Sequence, residues 1–208
     1  AKEPHIVDVA NFLNTMGANI RGAGTDVIKI TGKPFLAANR SYTIIPDQIE
    51  AGTYMIMAAM TNGDLTCTNL IPKHMEPLTA KLIEMGAIVQ EGADSIRVML
   101  TPGEKLKAAS FKTMPYPGFP TDLQPQTTTL LTVANGTGRM IESVWENRFQ
   151  YIKELEAMGA NIVTTGKLAV VQGSGLHGAT VFARDLRAGA AMVTAGLGAE
   201  GETKVTNV

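Results

Sequence analysis

Leu155-Glu156-Ala157-Met158-Gly159-Ala160-Asn161-Ile162 is the stretch on which the fold turns, because the chain carries it in three versions. The others are Phe12-Leu13-Asn14-Thr15-Met16-Gly17-Ala18-Asn19-Ile20 and Leu82-Ile83-Glu84-Met85-Gly86-Ala87-Ile88-Val89. Self-similarity at a fixed period marks a repeated supersecondary unit and has to be read first. The three glycines lie about 70 residues apart, each where a helix needs a left-handed residue to stop. Apolar residues precede them at helical spacing, as in Ile6, Val9, Phe12, Leu13 and Met16. Short strands follow at 27–30, 96–99 and 168–171. In the first of these, alternation puts Ile28 and Ile30 on one face and Lys29 on the other.

A second helix type also recurs three times. It opens beside an acid, at Asp47, Asp122 or Asp185, and closes on small residues and a glycine at Gly63, Gly136 or Gly201. At a helix start, each acid is expected to cap backbone N–H groups. Strands are expected after these helices at 65–70, 139–144 and 203–208. The unit is therefore βαβαββ. The chain holds half a unit over 1–45, whole units over 46 to about 115 and about 116 to 178, and half a unit over 179–208. Starting and stopping mid-unit points to an excerpt of a longer protein. The apolar helices near 51–60 and 128–134 have little polar surface, so they read as buried with the sheets outside them. The fold class is α/β, an inside-out barrel of repeated βαβαββ units.

The 208 residues are 45% hydrophobic, enough for a sizeable core in one large domain or two small ones. Eighteen basic residues against nineteen acidic ones leave no basic stripe for nucleic acid. No polybasic run, lipidation signal or long apolar stretch points to a membrane. Cys67 is the only cysteine, so no intrachain disulfide forms, which fits a reducing cytoplasm. It shares a strand face with Leu65 and reads as a packed thiol. His5, His74 and His177 have no zinc-ligand spacing, so no metal is expected. Gly173-Ser174-Gly175-Leu176-His177-Gly178 spells G-x-G-x-x-G, but a strand-like segment follows it, and a dinucleotide site needs a helix there. It reads as a turn.

Two linked loops carry the candidate chemistry. Pro115, Pro117 and Pro120 stiffen the approach to Thr121 and Asp122, and a stiff loop holds an acid in the fixed geometry that a general base requires. About twenty residues later comes Val144-Trp145-Glu146-Asn147-Arg148-Phe149. Arg148 reads either as an anion fork or as a surface partner of Glu146 or Glu154, and the same two readings apply to Arg184 and Arg187 beside Asp185. Trp145 reads as packing.

These residues together resemble the enolpyruvyl transferase family, and within it the branch that acts on UDP-N-acetylglucosamine. The matching motifs are Ala1-Lys2-Glu3-Pro4-His5-Ile6-Val7-Asp8, Ile45-Pro46-Asp47 with Glu50 and Gly52, Phe119-Pro120-Thr121-Asp122 with Gln124, Glu146-Asn147-Arg148-Phe149, and Asp185-Leu186-Arg187-Ala188. The shikimate-pathway branch carries a Lys-Glu-x-Asp-Arg type segment in place of Glu-Asn-Arg-Phe, and this chain has none. The resemblance implies two domains with an active site between them. Residues 1–45 would be the tail of the first and 46–208 most of the second. It implies transfer of the enolpyruvyl group of phosphoenolpyruvate to the sugar 3-hydroxyl, with release of phosphate, at the first committed step of peptidoglycan synthesis. No cofactor is implied.

By the same resemblance Asp122 would be the base, Thr121 and Val144 would line the sugar-nucleotide site, and Arg148 and Arg187 would face phosphoenolpyruvate with Asp185 orienting them. Gln48 departs from the arginine found in many members. The family's cysteine loop, its Lys-Asn pair and the arginines of its other domain would lie in a missing N-terminal half. Cys67 does not match the family cysteine. The 208 residues alone are then expected not to turn over. The alternatives are a shikimate-type transferase and a non-catalytic binding module on the same repeats.

Overall fold

The computed structural model describes residues 1–37 and 41–208, so three residues of the expected 1–45 tail lie outside the described part. The elements run α1 (Pro4–Thr15), β1 (Asn19–Arg21) and β2 (Lys29–Thr31), then α2 (Gln48–Met60), β3 (Asp64–Thr68), α3 (Pro72–Glu84), β4 (Ile88–Glu91) and β5 (Ser95–Met99). Next come β6 (Ser110–Lys112), a 3-10 turn (Thr121–Leu123), α4 (Gln124–Val133), β7 (Thr137–Ile141), a second 3-10 turn (Arg148–Tyr151), α5 (Ile152–Ala157), β8 (Asn161–Thr165) and β9 (Leu168–Gln172). The chain closes with β10 (Thr180–Phe182), α6 (Leu186–Gly198) and β11 (Lys204–Thr206).

The Met-Gly-Ala signature is one hydrogen-bonded device used three times. Gly17, Gly86 and Gly159 have φ of 96°, 102° and 89°. Their N–H groups donate to Asn14, Ile83 and Glu156, and the following alanines donate to Leu13, Leu82 and Leu155. That pair of bonds satisfies two carbonyls that a helix end would otherwise leave open.

β6-α4-β7-α5-β8-β9 is one complete βαβαββ unit. Its four strands form a sheet in the order β6-β7-β9-β8, with β6 and β7 parallel and the other neighbours antiparallel. The preceding unit forms a three-stranded sheet, β3-β5-β4. At the end of the chain β10 and β11 pair in parallel across α6, repeating β6-α4-β7. At its start β1 and β2 form an antiparallel hairpin after α1, repeating α5-β8-β9. The half-units expected at each end are both present.

α2, α4 and α6 pack against one another in pairs, and each also packs against the strands of its own unit. Along β7 and β9 buried and more exposed positions alternate, with Met140, Ala169 and Val171 facing the helices. α4 is buried at nine positions, Gln124 to Thr132, although six of those residues are polar. Its threonines satisfy themselves locally. Thr127, Thr128, Thr129 and Thr132 each donate to a carbonyl one turn back, at 2.7 to 3.1 Å.

The apolar stripe read on α1 is not buried. Val9 is 52% exposed and Phe12 41%, while Pro4, Asp8 and Ala10 are the buried positions. Ile30 also stands in solvent. The stripe is real but only partly covered: Ile6, Leu13 and Met16 are half-buried, and the Tyr42 ring lies 5.4 Å from that of Phe12.

Candidate active site

The loop from Met114 to Phe119 closes on itself before the chain enters α4. Met114 N–H donates to Phe119 O and Gly118 N–H to Pro115 O, both at 2.9 Å. Leu123 N–H then donates to Pro120 O, forming the 3-10 turn that carries Thr121 and Asp122. Leu123 anchors this turn in the core, against Gly52 of α2. A Cβ on Gly52 would stand 2.5 Å from Leu123 Cδ1, so any larger residue there would have to displace the Leu123 side chain.

Asp122 is not a helix cap. Its Oδ1 accepts from Arg148 Nη2 at 3.0 Å and its Oδ2 from Arg187 Nη2 at 2.8 Å, so one carboxylate ties together residues 26 and 65 positions away. Asp47 and Asp185 do cap as read. Asp47 Oδ1 accepts from the N–H groups of Ile49 and Glu50. Asp185 Oδ1 accepts from those of Arg187 and Ala188. Asp185 thereby sets the backbone of Arg187, while the guanidinium of Arg187 reaches Asp122.

Arg148 follows Asn147, whose φ of 54° turns the chain into the second 3-10 turn. Its side chain is only 18% exposed, and its Nε is buried without an acceptor. Tyr151, at the end of that turn, is buried and donates to Gln124 Oε1 at 3.1 Å, while Gln124 Nε2 is buried without a partner. Burial pushes the Tyr151 phenol well above its ordinary value. Two guanidiniums meet one carboxylate. Arg148 Nε and Gln124 Nε2 remain unused donors, which suits an anion.

Glu142 is the residue that motif reading missed. It is 1% exposed and fully engaged. Oε1 accepts from Thr113 Oγ1 and Val144 N at 2.8 Å and from Trp145 N at 3.0 Å, and Oε2 accepts from Thr121 Oγ1 at 2.8 Å. The signal was in the register. Gly138, Met140 and Glu142 occupy the buried alternate positions along and just past β7, so the acid stands where an apolar residue is expected.

A family model described as EPSP synthase (3-phosphoshikimate 1-carboxyvinyltransferase) matches residues 1–208. The chain belongs to the EPSP synthase family. Among the relatives of this family member is the UDP-N-acetylglucosamine 1-carboxyvinyltransferase of Clostridium botulinum (strain ATCC 19397 / Type A), 57% identical over all of this chain and 49% of its own length. A protein of the same name from Desulfofundulus thermocisternus is 54% identical over 97% of this chain and 82% of its own. The chain spans about half the length of most of the curated relatives it matches. The crystal structure of the enolpyruvyl transferase NikO from Streptomyces tendae superposes with a TM-score of 0.84 at 29% identity, over 99% of this chain and 49% of that one. An EPSP synthase from Acinetobacter baumannii gives a TM-score of 0.69 at 20% identity, over 93% and 48%, which is a likeness of fold.

The remaining candidates in this EPSP synthase family chain lie apart or play other parts. Arg184 pairs with Glu154 at 2.8 Å, the acid that sequence had offered to Arg148. Trp145 does not pack. It is 56% exposed, on a loop beside an exposed Val144. Cys67 is half-buried against the core, and burial raises its thiol above the ordinary value. Gly173 and Gly178 are places of close backbone approach, since a Cβ would fall 1.7 Å from Ala134 O and 2.1 Å from Glu202 O. A cavity of about 570 Å³ lies at the C-terminal ends of α2, α4 and α6, lined by Asn62, Asn135, Ser174 and Glu200, and it includes none of the three charged residues at the helix starts. Among the described residues no group of His, Cys, Asp and Glu could hold a metal, and no helix is long and apolar enough to cross a membrane.

Proposed function

We propose that the protein, at the length of its relatives, transfers the enolpyruvyl group of phosphoenolpyruvate to the 3-hydroxyl of UDP-N-acetylglucosamine and releases phosphate. The sugar oxygen forms a bond to C2 of phosphoenolpyruvate, the bond from C2 to the phosphate oxygen breaks, and the hydroxyl proton goes to a base. Asp122 is that base, Arg148 and Arg187 bind the anionic co-substrate, and Thr121, Val144 and Asp185 belong to the substrate site. The observation that carries this reading is the Asp122 carboxylate held between two guanidiniums at the starts of two core helices. The names of relatives at 52–57% identity support the UDP-sugar acceptor over shikimate 3-phosphate.

The geometry adds a condition. Both oxygens of Asp122 already accept guanidinium N–H groups, so an anion that binds the two arginines competes with Asp122 for their donors. Phosphoenolpyruvate supplies such an anion, and Arg148 Nε is a donor with nothing yet to bind.

In the same reading residues 1–45 are the tail of one domain and 46–208 most of a second, each an inside-out α/β barrel in the whole protein. The enzyme works in the cytoplasm, where its acceptor is made, and serves peptidoglycan synthesis. The experiment is phosphate release from phosphoenolpyruvate by a protein extended to the length of its relatives, with UDP-N-acetylglucosamine and shikimate 3-phosphate as separate acceptors. Release with the sugar nucleotide alone is expected. Release with shikimate 3-phosphate alone would transfer the site to the sister reaction.

A further inference from the structure

We infer that Glu142 is a positioning residue for this transfer: its buried carboxylate locks the turn that bears Asp122 to the loop that leads to Arg148. The inference rests on the reaction proposed above. Asp122 and Arg148 come from different segments, and their 3.0 Å contact alone does not fix how those segments sit. Glu142 does so from beneath. Its N–H donates to Lys167 O at 2.8 Å, which pins it to the turn between β8 and β9. Its Oε2 then takes the hydroxyl of Thr121, the residue before Asp122. Its Oε1 takes the N–H groups of Val144 and Trp145 at the start of the Arg148 loop. Thr113, fully buried just past β6, completes the set. It donates to Oε1 and accepts from Ser143 N at 2.9 Å.

Two features separate this role from catalysis and from simple bracing. At 1% exposure and held by four accepted bonds, Glu142 is out of a substrate's reach, so it acts through other residues. A buried carboxylate costs free energy unless every lone pair is used, and an apolar residue of similar volume would often serve stability as well. The acid is kept where three segments need one common acceptor, and two of them carry Asp122 and Arg148. It also occupies the Thr121 hydroxyl, so Thr121 serves the turn.

The test uses the protein extended to the length of its relatives and compares wild type with Glu142→Gln, Thr121→Val, Thr121→Ser and the pair Glu142→Gln/Thr121→Val. In Glu142→Gln the amide oxygen can keep the three donors of Oε1, while its NH2 turns toward Thr121 and reverses that bond. The fold is therefore retained and the lock is loosened. The expected result is a kcat per folded active site lower by about ten- to a hundredfold, with KM for both substrates changed by less than about threefold. Thr121→Val is expected to lose a similar factor and Thr121→Ser to restore most of it. The pair is expected to be no worse than its more damaging member, because both break one link.

A wild-type kcat in Glu142→Gln would overturn the assignment. So would losses that multiply in the pair, or a loss accounted for by a smaller folded fraction. Should Glu142→Gln not fold, the contrast between Thr121→Val and Thr121→Ser decides instead, and equal kcat in those two would overturn the assignment. Silence of the extended wild type with both acceptors would overturn the reaction itself, and this role with it. An active wild type beside a fully active Glu142→Gln would overturn the role alone.

Discussion

Asp122 carries one negative charge between two positive ones, and its substitutions separate charge from shape. Asp122→Asn keeps the volume and removes both the base and the two ion pairs. In a protein of full family length it is expected to lower the rate of phosphate release by on the order of a thousandfold, the scale of a lost general base. Circular dichroism should be unchanged, because the site lies at the ends of helices that are packed elsewhere. A rate within threefold of wild type would remove Asp122 from the role of base. Tyr151 makes a prediction about pH. Burial raises its folded-state value above the ordinary phenol value of about 10. The unfolded chain therefore loses this proton first as pH rises. The stability it contributes is fully present below about pH 10 and falls as pH climbs toward the folded value. Tyr151→Phe should flatten that alkaline slope in urea unfolding measured at several pH values. It should also cost about 1–3 kcal/mol at neutral pH, since Gln124 Oε1 loses its donor in a buried place. An unchanged slope would show that the phenol titrates alike in both states.

At the scale of elements, α2 and α6 begin alike and serve different ends. Asp47 and Asp185 each bond two N–H groups of the first turn, so replacing either by Ala should cost about 1 kcal/mol. That corresponds to a fall of about 2–4 °C in Tm for a chain of this size. Only Asp185→Ala should also weaken phosphoenolpyruvate binding, because it frees the backbone that aims Arg187. An equal effect of both on KM would contradict this. The same comparison shows how far sequence could see. The caps at Asp47 and Asp185 and the glycine stops at 17, 86 and 159 were legible, because local geometry alone requires those residue types. Asp122 occupies the matching place in the repeat, yet it left the capping role for two arginines. One of these lies 65 residues away, beyond the reach of local pattern. Glu142 was legible only as an acid on a buried register, and its four donors come from segments that a linear reading keeps apart. The polar content of α4 was also opaque. Its burial depends on threonine hydroxyls bonding within their own helix, which composition does not reveal.

Taken whole, the molecule is unevenly finished. α2, α4 and α6 pack together, though α6 exposes Leu186, Val193 and Leu197, and α1 and the hairpin after it expose Val9, Phe12, Val27 and Ile30. Soluble proteins seldom leave such residues uncovered together unless something packs on them. Most of the curated relatives that the chain matches are about twice as long. If the chain is a transferase half, the part of the protein that pairs with α1 also supplies the remaining ligands of phosphoenolpyruvate and the sugar nucleotide. Two consequences should then appear together. The 208 residues alone should release no phosphate above background and should bind an apolar fluorescent dye strongly. A protein extended to family length should turn over and bind much less dye per mole. Replacing Val9 and Phe12 by Lys supplies the link between the two. It should lower dye binding by the 208 residues, because an exposed face has been made polar. In the extended protein it should destabilise, because the same face is then buried. If the double substitution is silent in the extended protein, α1 does not pack against the added half, and the assignment of residues 1–45 to a first domain fails even if the chemistry stands.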